Sequence, residues 1–116
     1  PVYAATMRAM FEERRDHFQM LIDAGVLLLQ GTDSGGYQQH GSIAGELALW
    51  SSWGASAQLI IDASTWVSQR YLGRPGLVEG GEGDLIVLDE DPRIDPAALA
   101  RPSAVYVGGE RAWVRP

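Results

Sequence analysis

A helical pattern of apolar residues runs directly into a short, wholly apolar segment, and this order constrains the fold more than any other feature. Between Tyr3 and Ala24 the apolar residues recur at intervals of three and four, which predicts an amphipathic helix ended by Gly25. Residues 26–29, Val-Leu-Leu-Leu, then predict a short strand covered on both faces, as in a parallel sheet. A helix followed by a buried strand predicts an α/β fold.

Composition narrows the class of protein. The 116 residues carry a net charge of −6, with 46% hydrophobic and 21% charged residues, as in ordinary globular proteins. The sequence has no cluster of Lys or Arg for nucleic acid or an anionic membrane, and no apolar run long enough to span a bilayer. We therefore expect that the chain binds neither nucleic acid nor a membrane.

The chain begins with Pro1, so we expect the natural product to extend upstream. We leave the compartment open and favour the cytoplasm.

The remaining pattern predicts helices and then short strands. Ser42 is a candidate cap for a helix to about Trp53, and Ser56 for another to about Leu72. Strands are predicted within residues 84–89, 104–107 and 112–114. Gly108-Gly109 predicts a type I′ hairpin turn, because both central positions of that turn need a positive φ. A short helical turn is predicted at residues 97–100.

The glycine-rich loop at residues 31–41 is the place where we expect function. Asp33 lies just after the predicted strand, and the carboxyl ends of such strands gather ligands and catalytic groups in α/β proteins. Asp also caps turns through its own backbone, so spacing alone leaves both interpretations open. Two other interpretations of the loop are a serine nucleophile at Ser34 and an anion-binding nest. The first lacks His and Asp partners at suitable positions, and the second lacks a Walker pattern.

A resemblance to a known family extends through the chain. It rests on these segments: Leu29-Gln30-Gly31-Thr32-Asp33, His40-Gly41, Glu46-Leu47, Ala63-Ser64-Thr65, Leu72-Gly73, residues 76–81, residues 84–89, Asp91-Pro92 and residues 104–110. In this order they resemble the carboxy-terminal part of the amidohydrolase superfamily, especially its imidazolonepropionase and Xaa-Pro-dipeptidase-like branch. The chain departs from the family pattern at Val67, where Asn is usual, and at Ser64, where Ala is common.

The resemblance implies a fold and a division of the chain. Residues 1–75 would be the last strand and helices of a (β/α)8 TIM-like barrel, and residues 76–116 part of a small flanking β-domain. A whole barrel takes about 250 residues, so most of the active site would lie in the remainder of the same polypeptide. We expect this chain alone to be inactive. A homo-oligomer is possible in this family.

The resemblance also implies a chemistry. The enzyme would hydrolyse a C–N bond in a cyclic amide or a small peptide-like amide, using one or two divalent ions, of which zinc is favoured. Asp33 would be both a metal ligand and the catalytic proton relay, taking a proton from the attacking water and giving it to the leaving nitrogen. His40 and Tyr37, in the loop that would overhang the site, are the candidates for contact with the substrate; the alternative is that both are simply solvated. The alternative is a non-catalytic truncated fold or a partner-binding module.

The second half of the chain holds a group of acids that invites a separate interpretation. Its members are Glu79, Glu82, Asp84, Asp89, Glu90 and Asp91. They suggest a cation site, but they flank predicted strand ends and turns, so a solvated face is the favoured interpretation.

Overall fold

Helices form the first part of the chain and a small sheet forms the last. The computed structural model describes residues 2–36 and 38–116. The helices are α1 (Val2–Asp23), α2 (Ile43–Ser52), α3 (Ala57–Ser64) and α4 (Trp66–Tyr71). The strands are β1 (Leu85–Val87), β2 (Ala104–Val107) and β3 (Glu110–Val114), and a 3-10 helix (Pro96–Ala100) lies between β1 and β2.

The apolar run at residues 26–29 does not form the predicted strand. Residues 26–33 lie outside every helix and strand. The strands of the described residues form one antiparallel sheet of order β1-β2-β3. A parallel strand needs parallel neighbours for its backbone hydrogen bonds, and this part of the chain supplies none. The prediction of the last strand and helices of a (β/α)8 TIM-like barrel is therefore wrong, and the chain is a small mixed α/β domain.

The local signals for the helices are largely confirmed. The helix predicted from Tyr3 is α1, and Ser56 caps α3 by accepting a hydrogen bond from the backbone N–H of Leu59 at 3.1 Å. Ser42 precedes α2 but makes no capping bond with its side chain. The helix predicted from Ser56 to about Leu72 is broken at Thr65, whose φ of −126° and ψ of −106° are not helical.

The hairpin formed by β2 and β3 follows directly from its turn. Gly108 and Gly109 have φ of 60° and 78°, as a type I′ turn requires. The amide of Gly108 also donates to Oδ1 of Asp84 at 2.7 Å, which ties the turn to the residue before β1. The predicted helical turn at residues 97–100 is confirmed as the 3-10 helix, where Asp95 accepts from the amide of Ala97 at 2.9 Å.

A small apolar core holds the helices together. Its buried members are Phe18, Leu47, Trp50, Ala55, Ile60 and Ala63, and five half-buried residues pack around them: Ile22, Leu28, Trp53, Leu59 and Leu99. Leu28 is the one residue of the 26–29 run in this cluster, whereas Val26 and Leu27 are exposed. The core therefore fixes the start of the glycine-rich loop on one side and α2 on the other. The division of the chain into two units, residues 1–75 and residues 76–116, stays a prediction.

Candidate functional site

The glycine-rich loop is closed by its own hydrogen bonds. The amide of Gly35 donates to the carbonyl of Gln38 at 3.2 Å, and the hydroxyl of Ser34 donates to the carbonyl of Gln39 at 3.1 Å. The hydroxyls of Thr32 and Ser34 lie 2.5 Å apart. These short-range contacts tie Ser34 and Gly35 to Gln38 and Gln39, and the side chain of Asp33 is presented to solvent.

Asp33 lies on this rim in an unusual backbone conformation. Its φ is 48°, and it is the one residue other than glycine with a positive φ among the described residues. L-residues rarely adopt this left-handed region, although Asp tolerates it better than most. The side chain is exposed, and its carboxylate accepts no hydrogen bond from the residues that the structure describes. Its exposure makes this carboxylate a candidate ligand group.

Substitutions at Asp33 should separate backbone strain from side-chain chemistry. We expect Asp33→Gly to leave stability unchanged or to raise it by up to about 1 kcal/mol, because glycine adopts a positive φ freely. Asp33→Val should lower stability by about 1–2 kcal/mol, because a β-branched residue is strained there. Thermal unfolding followed by circular dichroism measures both, and 1 kcal/mol corresponds to about 4–8 °C in a small domain. Equal midpoints for the two variants would contradict the backbone assignment.

Of the two residues predicted to contact the substrate, the structure describes His40 but not Tyr37. His40 is exposed, and a methyl group added at Gly35 would touch its imidazole ring at 3.8 Å, so the ring lies beside the turn that carries Asp33. Tyr37 lies outside the described residues, and its role stays a prediction. The structure thus places Asp33 and His40 on one loop.

Ser34 does not have the surroundings of an activated nucleophile. Its hydroxyl donates to the carbonyl of Gln39, and its other contact is the hydroxyl of Thr32. Neither group is a general base, and no imidazole is hydrogen-bonded to Ser34 within the described part of the chain. Among the described residues, Ser34 therefore lacks the base that a serine nucleophile needs, and Asp33 stays the candidate side chain of the loop.

Gln30 is a residue whose role the sequence did not reveal. Its Oε1 accepts a hydrogen bond from the hydroxyl of Ser64 in α3 at 3.0 Å. Its Nε2 is buried and has no partner among the described residues. This contact joins the base of the loop to the helical core. Ser64 itself was visible as a departure from the family pattern, but nothing in the sequence pointed to Gln30 as its partner.

The acids in the second half of the chain are mostly neutralised by arginines. Arg74 contacts Glu82 and lies 2.9 Å from Asp84. The other pairs are Arg93 with Asp91, Arg101 with Glu90, and Arg115 with Asp89, at 2.6, 2.9 and 2.8 Å. Carboxylates engaged by arginines are poor ligands for a cation. The arrangement favours a solvated, paired surface over a cation site.

The Asp91–Arg93 pair should make part of the stability depend on acid pH. Hydrogen bonds from the side chain and then the backbone of Arg93 lower the pKa of Asp91 from 3.8 to about 2. Since the pKa is lower in the folded state, the pair stabilises the fold above about pH 4, and this stabilisation is lost as the pH falls through 2. We expect Arg93→Gln to raise the pKa of Asp91 towards 3.8, as measured by NMR titration of its carboxyl carbon. Arg115→Gln, which removes the partner of Asp89, is the control and should leave Asp91 unchanged.

Other features of the described residues mark the limits of the site. No group of three or more His, Asp or Glu residues there is placed to hold a metal ion. A cavity of about 300 Å³ lies between α2 and the 3-10 helix, lined by residues such as Leu47, Ser51 and Pro96, and the loop contributes nothing to its lining. Among the residues that the structure describes, no helix has the length and apolar character needed to cross a membrane.

Comparison with known proteins gives relatives but no function. A search with models of protein families gives no match. Uncharacterised proteins of Mycobacterium tuberculosis and Mycobacterium bovis are 37% identical to this chain over 109 residues. The match covers 94% of this chain but 30% of each relative. The chain therefore spans about a third of the length of the curated relatives that it matches.

Proposed function

We propose that this chain is part of a metal-dependent amidohydrolase that cleaves a C–N bond in a cyclic amide or a small peptide-like amide. The observation that carries the proposal is Asp33, an exposed carboxylate held at a φ of 48° on the rim of a glycine-rich loop. Strained backbone at an exposed polar residue is typical of functional sites, where the cost is retained for the chemistry. The resemblance of residues 29–33 to the family segment ending in Gly-Thr-Asp supports the same assignment.

The metal fits this chain only in part. An exposed carboxylate is a suitable ligand for zinc or another divalent ion, and Asp33 would supply one such ligand. The described residues bring no second and third ligand to it, so the remaining ligands would come from outside them. When bound, one or two such ions supply a water of lowered pKa and polarise the scissile carbonyl. The chain alone is therefore expected to be inactive.

Asp33 has the properties that a proton relay requires. An exposed carboxylate can accept a proton from an attacking water molecule and donate it to the leaving nitrogen of the amide. The same group thus acts first as a base and then as an acid. His40, beside the same turn, is positioned to contact the part of the substrate that projects over the loop.

Further proposals follow from this function. The partners would be a small-molecule amide and the remainder of the same polypeptide, in a protein of the cytoplasm, with no role for nucleic acid. A homo-oligomer is compatible with the proposal. The greater length of the mycobacterial relatives supports a larger functional unit.

An activity assay with metal control tests the proposal. The longer polypeptide would be incubated with a panel of cyclic amides and Xaa-Pro dipeptides, with and without a chelator. We expect hydrolysis that the chelator abolishes and that added zinc restores, and the 116-residue chain alone should show none. Hydrolysis insensitive to the chelator but blocked by a serine-directed reagent would favour Ser34 instead.

A non-catalytic partner-binding module is the second candidate. The observation that favours it is the large set of exposed apolar side chains on α1, including Tyr3 and Phe11. A chain that binds no metal and hydrolyses nothing in its longer form, yet associates through this helix, would be such a module.

A further inference from the structure

An apolar stripe along α1 lies mostly outside the core formed by the described residues. The exposed residues of the stripe are Tyr3, Met7, Met10, Phe11 and Leu21. Phe18, on the same face of the helix, is buried. Residues at these spacings share one face of a helix. The stripe thus starts in the core at Phe18 and continues into solvent towards the amino-terminal end of the helix.

The shape of the molecule agrees with a projecting helix. A helix of 22 residues is about 33 Å long, and the molecule measures 52 by 30 by 28 Å. Phe18 is the one buried residue of α1, and Ile22 is half-buried against the same cluster. Most residues of α1 therefore lie outside the apolar core. Tyr3 is 76% exposed and Phe11 is 64% exposed.

The charges on α1 argue against a membrane as the occupant. Arg8, Arg14 and Arg15 are outnumbered by four acids, Glu12, Glu13, Asp16 and Asp23. A helix that lies on an anionic membrane carries an excess of Lys and Arg on its polar face. Exposed apolar patches mark protein or membrane interaction sites, and the excess of acids on α1 favours a protein as the occupant.

The length of the mycobacterial relatives suggests an occupant for the stripe. They match 94% of this chain, helix α1 included in large part, yet the matched region is 30% of their length. In those proteins this unit is joined to a polypeptide more than twice its size. We propose that the apolar stripe of α1 docks on the polypeptide that corresponds to this additional part of the relatives. The proposal goes beyond the proposed function, because it holds whether or not the assembly hydrolyses amides.

A pair of matched substitutions tests the proposal. Phe11→Asp would be made in the 116-residue chain, and Asp would be placed at the position aligned with Phe11 in the Mycobacterium tuberculosis relative. We expect the melting temperature of the chain to change by no more than a few degrees, because Phe11 lies outside its core. The relative should lose about 10 °C or release the matching segment to limited proteolysis. Ala9→Asp, on the opposite side of α1, is the control and should have little effect in either protein.

Each other outcome overturns the proposal. A similar loss in both proteins would place Phe11 in the core of this chain. No loss in the relative, or a polar residue already present at the aligned position, would mean that the stripe is not covered there. A dimer of the chain in size-exclusion chromatography with light scattering, abolished by Phe11→Asp, would assign the stripe to a second copy. None of these measurements uses catalysis, so they stand apart from the test of the hydrolase proposal.

Discussion

Replacing Asp33 by Asn in the longer polypeptide should reduce amide hydrolysis by about 10²–10⁴-fold, the range that one positioned acid or base contributes. The amide keeps the shape of the carboxylate but cannot accept a proton from the attacking water. Asn tolerates a positive φ as well as Asp does, so the backbone at φ 48° should be preserved. The measurement is kcat for the best substrate of the amide panel, together with the bound metal content.

Asp16→Asn is the matched control for this prediction. Asp16 is an exposed carboxylate on the polar face of α1, outside the loop, so its replacement removes the same charge without touching the candidate site. Its variant should retain activity and metal. If Asp33→Asn kept near-normal turnover, the role of Asp33 as a relay would be refuted. If its loss were matched by a fall in melting temperature, the residue would be structural.

Short-range features of this fold were predictable from the sequence because their causes are local. Helix α1 follows from the spacing of its apolar residues, and Ser56 caps α3 through a contact with Leu59, three residues away. The hairpin follows from two glycines at positions of positive φ. In each case the residues that decide the structure lie within one helical turn or one hairpin.

The failed strand prediction involves partners distant along the chain. An apolar run such as residues 26–29 fits a buried strand only where neighbouring strands can pair with it, and in this structure Leu28 packs on the helices instead. The break at Thr65 differs, because the hydrogen bonds that accompany it join residues only four and five apart in the sequence. The hydroxyl of Thr65 donates to the carbonyl of Ile61 at 2.6 Å, and that of Ser68 donates to the carbonyl of Ala63. Such back-bonding bends and interrupts helices in ways that apolar periodicity does not reveal.

The sequence indicated the candidate loop but not its geometry. The glycine-rich sequence indicated a loop, and Asp33 was its one acid. The positive φ of Asp33 depends on how the turn is closed by Ser34, Gln38 and Gln39, and no residue pattern states that closure in advance. The same holds for Gln30, whose partner Ser64 is 34 residues away.

The largest effect on stability is expected from Phe18→Ala. The ring of Phe18 lies 5.0 Å from that of Trp50 and 5.6 Å from that of Trp53, between centroids, and the residue is 8% exposed. Truncating a buried Phe costs about 3–5 kcal/mol, a large share of the 5–15 kcal/mol that stabilises a typical domain. Since Phe18 is the buried anchor of α1, the helix should also detach from the core. Urea unfolding, followed by circular dichroism and tryptophan fluorescence, measures the loss.

Phe11→Ala is the matched control, because it removes the same side chain from the same helix at an exposed position. Its cost should be within about 0.5 kcal/mol, as for most surface substitutions. Trypsin provides a second measurement, since cleavage after Arg14 and Arg15 should accelerate in Phe18→Ala and not in Phe11→Ala. Equal stability of the two variants would mean that α1 is held by contacts other than its aromatic anchor. A large loss for Phe18 alone would instead establish that its ring is the main contact between the projecting helix and the domain, because Phe18 is the buried residue of α1 and Phe11 lies outside the core.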